Sequence, residues 1–198
     1  EFKMNLRFIL HHPSHPGNIG AVARAIKVMG FSELHLIAPK KFPDPAATAR
    51  ASHATDILDQ CNVHQQLKDS IHDLNVIIAC TARPRNNKIA AETPNSMARI
   101  IQTKYKNQKI GILFGNEQNG LSNEELQHAQ HIVTIPTNNV YSSLNLAQAV
   151  QIIAYELNIA TTKQTFTKME SIDISDQHQR NNLISFCVNR LKNTTFFK

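Results

Sequence analysis

The stretch HPGNIGAVARAIKVMGF, residues 15–31, carries residue types that suit the binding of a phosphate group. Gly20, Arg24 and Lys27 recur there at three- and four-residue spacing, so a helix would place them on one face. Glycine at position 20 would leave room above Arg24, and an arginine can hold a phosphate through two parallel hydrogen bonds. The start of such a helix also offers unpaired N–H groups and the positive end of the helix dipole. The pattern fits a phosphate-binding face, but taken alone the spacing favours a solvated basic face on an amphipathic helix.

Three further stretches combine small residues with turn formers, each directly after a predicted strand. Because ligands of open α/β sheets bind at the carboxyl ends of the strands, we expect these stretches to line one site. Small side chains and accessible main-chain groups suit a flat, uncharged ring such as adenine. For Gly115 and Gly120 taken alone, ordinary turn chemistry explains the sequence equally well. The stretches are CTAR at residues 80–83, FGNEQNGLS at 114–122, and IP at 135–136 followed by YSSLN at 141–145.

Other kinds of catalytic site find little support in the sequence. Histidines cluster at positions 11, 12 and 15 and again at 128 and 131, but no cysteine or carboxylate stands near them at a metal-ligand spacing. This favours surface histidines, and we expect no metal. The chain contains neither a Gly-x-Ser-x-Gly motif nor a Walker loop. A nicotinamide-dependent dehydrogenase would need Gly-x-Gly-x-x-Gly and an acidic residue about 20 positions later, and both are missing.

The composition of the 198 residues is typical of a soluble globular protein. The net charge is +6 and the pI is about 9.4, a basic balance that is weak evidence for a nucleic-acid partner when taken alone. No apolar run approaches the roughly 20 residues of a membrane span, so no membrane partner is expected. Cys61, Cys80 and Cys187 are widely spaced and odd in number, which predicts reduced thiols and a cytoplasmic location.

The predicted strands and helices alternate, which indicates an α/β domain with a mostly parallel sheet. We expect a domain over residues 4–160, followed by a linker and short helical extension over residues 161–198. Within the extension, residues 160–175 are polar and residues 176–192 could form a helix. The predicted strands are residues 5–11, 33–38, 75–80, 109–114 and 131–136, and the predicted helices are 18–29, 45–59, 63–74, 95–106, one opened by the capping box at 122–125, and 145–159.

Together, three ordered motifs resemble those of the SpoU (TrmH-type) branch of the SPOUT RNA methyltransferases. The likeness runs over residues 5–160. It is carried by NIGAVAR at residues 18–24, FGNEQNGLS at 114–122, and IP at 135–136 with SSLNLAQAV at 142–150.

The resemblance implies a deep trefoil knot, a homodimer, and S-adenosylmethionine (SAM) as cofactor. It implies 2′-O-methylation of a ribose in tRNA, at anticodon-loop nucleotide 32. Methylation of rRNA or of another tRNA position, or a non-catalytic RNA-binding role, would be alternatives. By the same resemblance, Arg24 is the catalytic residue and reaches the cofactor from the partner protomer. The other functional positions are Asn18, Glu117, Ser143 and Asn145, and the cofactor shell is Cys80, Thr81, Ala82, Gly115, Ile135, Ser142, Ser143 and Leu144.

The chemistry that this resemblance implies needs little beyond alignment of the two reactants. The sulfonium of SAM is already a good methyl donor, so holding the ribose oxygen in line can account for roughly 7–11 kcal/mol of the barrier. Arg24 could grip a neighbouring phosphate or the developing alkoxide. A guanidinium with a pKa above roughly 12 is a poor general base, which favours orientation and charge stabilisation as its role.

The predicted helix over residues 145–159 is apolar on more than one side. Leu146, Val150, Ile153 and Leu157 form one stripe, which Ala149 and Ile152 widen, and Ala147 and Ala154 form a face of small residues. So broad a surface fits burial against both the sheet and a partner subunit. A fully buried core helix in a monomer fits equally well.

Overall fold

The described part of the chain contains eight α-helices and seven strands, which alternate over most of its length. The computed structural model describes residues 4–82, 90–138, 140, 142–162 and 176–194. A 3-10 turn, Ser52–Ala54, separates the second and third helices. The elements in chain order are β1 (Asn5–His11), α1 (Pro16–Val28), β2 (Glu33–Ile37), α2 (Pro45–Ala51), α3 (Thr55–Asp59), β3 (Asn62–His64), α4 (Leu67–Ile71), β4 (Val76–Cys80), β5 (Ala91–Glu92), α5 (Pro94–Lys104), β6 (Lys109–Phe114), α6 (Asn123–Leu126), β7 (His131–Val133), α7 (Leu146–Thr161) and α8 (Gln177–Lys192).

The chain divides into two units, residues 1–164 and 165–198. The second unit contains α8, whose start is fixed by a capping box between Asp176 and Gln179. The terminal helix predicted over residues 176–192 is therefore confirmed. Residues 163–175 of the predicted linker, like residues 83–87 of the polar loop after β4, lie outside the described residues. No helix in the described part of the chain is long and apolar enough to cross a membrane.

The seven strands form one sheet in the order β3-β2-β1-β6-β4-β7-β5, and every neighbouring pair is parallel. The predicted α/β class with a mostly parallel sheet is confirmed. β6 enters between β1 and β4, so the carboxyl ends of β1, β6, β4 and β7 lie side by side. Strands in such sheets are buried on both faces, and β1 follows this rule. Phe8 and Leu10 pack under α1 and α7, whereas Ile9 packs on the opposite face with Leu113.

Two predicted helices are wrong in extent. The helix expected over residues 45–59 is broken at Ser52, which has a φ of +53°, a conformation that a continuous helix cannot contain. The helix expected over residues 63–74 is only Leu67–Ile71, because Asn62–His64 instead pairs with β2 as an edge strand. The strand expected over residues 131–136 ends at Val133, and the two-residue strand β5 has no recognisable signal in the sequence.

Gly20 allows α1 and α2 to approach each other closely. A Cβ atom on Gly20 would overlap with the backbone carbonyl of Ala47 and approach the backbone nitrogen of Ala51. The expectation that Gly20 leaves room above Arg24 is therefore wrong, since the space beside Gly20 is filled by α2.

Replacing Gly20 by alanine is expected to lower the free energy of unfolding by about 1–3 kcal/mol, because the added methyl group meets backbone rather than a flexible side chain. Urea denaturation would measure the effect. Ala21→Ser adds one atom at the next, half-exposed position and should change the stability by less than about 1 kcal/mol. Equal stability of Gly20→Ala and Ala21→Ser would show that α2 can move aside.

Candidate active site

The carboxyl ends of β4, β6 and β7 line an open cleft of about 780 Å³. The structure brings every residue of the predicted cofactor shell to this cleft, together with Glu117. Two residues of the same predicted stretches, Arg83 and Tyr141, lie outside the described residues. The shell residues that line the cleft are Cys80, Thr81, Ala82, Gly115, Ile135, Ser142, Ser143 and Leu144.

The loop after β6 folds tightly back on itself and forms one wall of the cleft. Asn116 forms an isolated bridge with Gly120, and its side-chain oxygen accepts hydrogen bonds from the backbone N–H groups of Gln118 and Asn119. Gly120 has a φ of +66°. A Cβ on Gly115 would overlap with the backbone of Gly120, so this loop requires glycine at position 115.

Not every main-chain group at the cleft is free for a ligand. The backbone N–H of Thr81 donates to the carbonyl of Val133, and the carbonyl of Thr81 accepts from the hydroxyl of Thr134 at 2.9 Å. The expectation of free amides and carbonyls is wrong at this position. Burial raises the pKa of the Cys80 thiol to about 12, so Cys80 stays protonated at neutral pH.

A chain of hydrogen bonds joins three of the predicted functional residues. The Asn18 amide donates to a carboxylate oxygen of Glu117 at 2.8 Å, and the Asn145 amide donates to the Asn18 side-chain oxygen at 3.0 Å. Asn145 also caps α7, since its side-chain oxygen accepts from the backbone N–H of Ala147. The loop after β6, the start of α1 and the start of α7 are thus tied together.

Ser14 belongs to this network and was missed by the sequence analysis. Its backbone N–H and its hydroxyl both donate to Glu117, at 2.9 and 2.7 Å, and the backbone N–H of His15 donates to the same carboxylate at 3.3 Å. Ser14 lies outside the three motifs, and its only signal is a small polar residue just before the start of a helix. The imidazole of His15 accepts from the backbone N–H of Gly17.

The start of α1 is therefore not an open phosphate site. The N–H groups of Ser14 and His15, just before the helix, donate to Glu117, and within its first turn the N–H of Gly17 donates to the His15 imidazole. The expectation that the N–H groups at the helix start are unpaired is therefore wrong. Lys27 does not join a phosphate-binding face either, because its ammonium group donates to Asp56 at 2.7 Å and to the carbonyl of His53 at 2.8 Å.

Arg24 is exposed, and it makes no hydrogen bond or ion pair with the residues that the structure describes. It lies six residues beyond Asn18, which is about 9 Å of helix rise at ~1.5 Å per residue and a different side of α1. Within one chain, Arg24 does not reach the network formed by Asn18, Glu117 and Asn145. Ser143 lines the cleft and is exposed.

The Glu117 carboxylate is held in its charged form. Burial by itself raises the pKa of Glu117, but the hydrogen bonds from Asn18 and Ser14 outweigh burial and lower the pKa to about 2. The ordinary value is 4.5. The stability that these hydrogen bonds contribute is fully present above pH 4.5 and is lost as the pH falls through about 2, because the unfolded chain binds the proton first.

This titration predicts a pH-dependent difference between the wild-type protein and Glu117→Gln. The difference in their free energies of unfolding should be constant above about pH 5 and should shrink as the pH falls further. Urea denaturation at a series of pH values would measure it. A difference that stays the same down to pH 3 would contradict the low pKa of Glu117.

The histidine clusters do not form a metal site in the described ranges, where no three His, Cys, Asp or Glu side chains come together as a possible ligand set. His131 instead contacts the hydroxyl of Tyr105 at 2.8 Å, and His11 lies 3.0 Å from a carboxylate oxygen of Glu125.

Comparisons with known proteins agree with the motifs. A sequence model described as the SpoU rRNA Methylase family matches residues 5–155. The chain is 41% identical over 171 residues to the tRNA (cytidine/uridine/adenosine-2′-O-)-methyltransferase TrmJ of Pseudomonas aeruginosa, which covers 85% of this chain and 66% of that protein. The chain thus spans about two thirds of the length of this curated relative.

Solved structures with the same fold include two from bacteria. The crystal structure of TrmJ from Z. mobilis ZM4 superposes with a TM-score of 0.74 at 33% identity, over 97% of this chain and 82% of that one. A probable methyltransferase from Bordetella pertussis superposes with a TM-score of 0.73 at 38% identity, over 80% of this chain and 96% of that one. On these matches and on the three motifs, the chain belongs to the SpoU rRNA methylase family.

Proposed function

We propose that this protein transfers a methyl group from SAM to the 2′-oxygen of a ribose in tRNA, at nucleotide 32 of the anticodon loop. The observation that carries the proposal concerns Glu117. It lines the cleft and also belongs to the hydrogen-bond network with Asn18 and Asn145. The tRNA substrate is supported by the named activity of the P. aeruginosa relative, and the basic charge suits a polyanion.

The lining of the cleft suits SAM, because sites for such cofactors combine apolar walls with a few polar groups. Ile135, Leu144 and Ala149 give the cleft apolar walls that suit an adenine ring. The predicted shell residues would hold the cofactor, which supplies a methyl group already activated on a sulfonium.

The side chains of the site are suited to positioning rather than to proton abstraction. Glu117 has a pKa of about 2 and Cys80 one of about 12, so neither is a general base near neutral pH. Asn18 and Asn145 each keep one amide hydrogen outside the network and can donate it to a ribose hydroxyl. Ser143 lies in the cleft and can contact the same sugar. Arg24 orients the substrate and stabilises the charge that develops on the attacking oxygen.

A homodimer would bring Arg24 of the partner subunit to the cleft, where the single chain does not place it. On α7, Ile152, Tyr155 and Ile159 form a stripe that the chain covers only in part, and Tyr155 is 49% exposed. The opposite stripe, including Val150 and Ile153, is buried against the core. The dimer would bury the exposed side, and light scattering should give a molar mass near twice 22.2 kDa.

The proposal includes a deep trefoil knot in the methyltransferase domain over residues 4–160, with residues 161–198 as linker and helical extension. The insertion of β6 between two strands that precede it in sequence supports such a crossing. We also propose that the protein works in the cytoplasm, where its tRNA substrate is found.

Labelled SAM and unmodified tRNA test the proposed function directly. We expect binding of SAM in calorimetry and transfer of label to tRNA, with the methyl group mapped to the 2′-oxygen of nucleotide 32. Ribosomal RNA is the second substrate to test, because the family is described as rRNA methylases. Binding of RNA without binding of SAM would show a non-catalytic RNA-binding protein, and transfer to rRNA alone would replace the tRNA assignment.

A further inference from the structure

A second pocket lies on the other side of the loop that walls the cofactor cleft. Its volume is about 710 Å³, and it shares Asn116 and Gly120 with the first cleft. The loop between them is held by internal hydrogen bonds to the Asn116 side chain and by the close approach of Gly115 to Gly120. A ligand in this pocket would therefore lie next to a ligand in the cleft.

The floor of the pocket is fixed by a buried pair. The Nδ1 atom of His11 lies 3.0 Å from one carboxylate oxygen of Glu125, and the other oxygen accepts from the backbone N–H of Ser122. Burial lowers the pKa of His11, which favours its neutral form at neutral pH. The floor thus carries one carboxylate whose oxygens are already engaged, and it has little attraction for a free phosphate or a cation.

His12 forms the rim and is held there by its backbone. It has a φ of +49°, which is uncommon for a residue with a Cβ and often marks a functional position. Its backbone N–H donates to the carbonyl of Ile37, and its ring meets the ring of His11 edge-on with 4.2 Å between centroids. The side chain is exposed, and its ring makes no hydrogen bond with the part of the chain that the structure describes.

The chemistry of the rim suits an unstacked RNA base. Asn119 is exposed and carries an amide group that can both donate and accept hydrogen bonds. Proteins read single-stranded RNA by stacking bases on aromatic side chains, histidine included, and by hydrogen bonds to the base edges. The backbone N–H of Lys40 donates to the carbonyl of Pro13, which places Lys40 close to His12. Lys40 can therefore contact a phosphate group of the RNA backbone.

We propose that this pocket binds the base of a nucleotide next to the methylated one, with His12 stacking on the base and the amide of Asn119 contacting its edge. This inference rests on the proposed function, since it names a subsite for the same RNA substrate.

Steady-state methylation of tRNA by His12→Ala and His12→Phe tests the stacking role. Both variants place a Cβ at the same positive φ, so they are matched in backbone strain. We expect His12→Ala to raise the KM for tRNA about 10-fold, which is the scale of one base–aromatic stack, and His12→Phe to stay within about 3-fold of the wild type. His72→Ala removes an exposed histidine beyond α4, at the amino-terminal edge of the sheet, and should match the wild type.

Two further substrates identify the neighbouring nucleotide whose base binds in the pocket. Each is a tRNA with an abasic site on one side of the target nucleotide, and the KM is measured for both. With one of these substrates, the wild type and His12→Ala should have the same KM, because the base that would stack on His12 is absent. An unchanged KM for His12→Ala, a His12→Phe variant as weak as His12→Ala, or the same ratio on both abasic substrates would overturn the pocket assignment. Calorimetry with SAM shows that each variant is folded. A wild-type protein that methylates no RNA would instead overturn the proposed function.

Discussion

Replacing Arg24 by alanine is expected to lower the rate of methyl transfer by about 10²–10³-fold, the usual effect of removing one group that stabilises developing charge. The affinity for SAM should change little, because the role proposed for Arg24 of the partner subunit is at the ribose oxygen, and Arg24 is not among the predicted cofactor-shell residues that line the cleft. Folding should be unaffected, since the side chain has no partner among the described residues. Single-turnover methylation and calorimetry would measure the two quantities.

Arg24→Lys and a mixed dimer sharpen this test. Lysine keeps the charge but loses the planar pair of donors, so recovery of most activity would show that two-point binding is not essential. Leu144→Arg would block the cleft with a bulky cation. A dimer of one Arg24→Ala chain and one Leu144→Arg chain should regain activity, because it contains one complete composite site. No activity in this dimer would mean that Arg24 serves its own chain.

Glu117→Gln is expected to lower the free energy of unfolding by about 1–2 kcal/mol. This is the lower part of the range for a buried donor or acceptor left without a partner, because Glu117 is only half-buried. A glutamine can accept from Ser14 with its oxygen, but its NH₂ group would then face the NH₂ group of Asn18. Asn18 would lose its fixed orientation, and methyl transfer should fall about 10²-fold if the amide moves by roughly 1 Å.

The second substitution Asn18→Asp restores the matching of donors and acceptors. The glutamine at position 117 would donate to the new carboxylate, which can still accept from Asn145. We expect the double variant to recover part of the lost stability, a coupling that denaturation of both single variants and the double variant would measure. Losses that simply add would contradict the hydrogen-bond chain. Activity separates the roles further, since a purely structural pair would recover activity together with stability.

The sheet and the cleft were predictable because their signals are local. Apolar runs such as residues 5–11 and 109–114 indicate buried parallel strands, and small residues after three of the strands indicated where a ligand site would form. The edge strand Asn62–His64 could not be predicted, because its polar sequence becomes a strand only through pairing with β2.

The hydrogen bonds between Ser14 and Glu117 could not be predicted from the sequence either. Glu117 is 103 residues away from Ser14 in the sequence. No local pattern around Ser14 predicts that this carboxylate accepts hydrogen bonds just before α1. The same holds for Gly20, whose partner on α2 is set by tertiary packing. Residues that are distant in the sequence bind some of the backbone groups and leave others free. A local sequence pattern therefore does not show by itself whether it forms a binding site.

The central place of β6 has a consequence for synthesis on the ribosome. β1 leaves the gap beside it open until residues 109–114 have emerged, which takes roughly 5–20 s at about 5–20 residues per second. During this interval the backbone N–H and C=O groups on one edge of β1 lack their partners on β6. Late closure of the sheet follows from this strand order, and the hydrogen-bond network of Asn18, Glu117 and Asn145 is completed only when Asn145 has also been made.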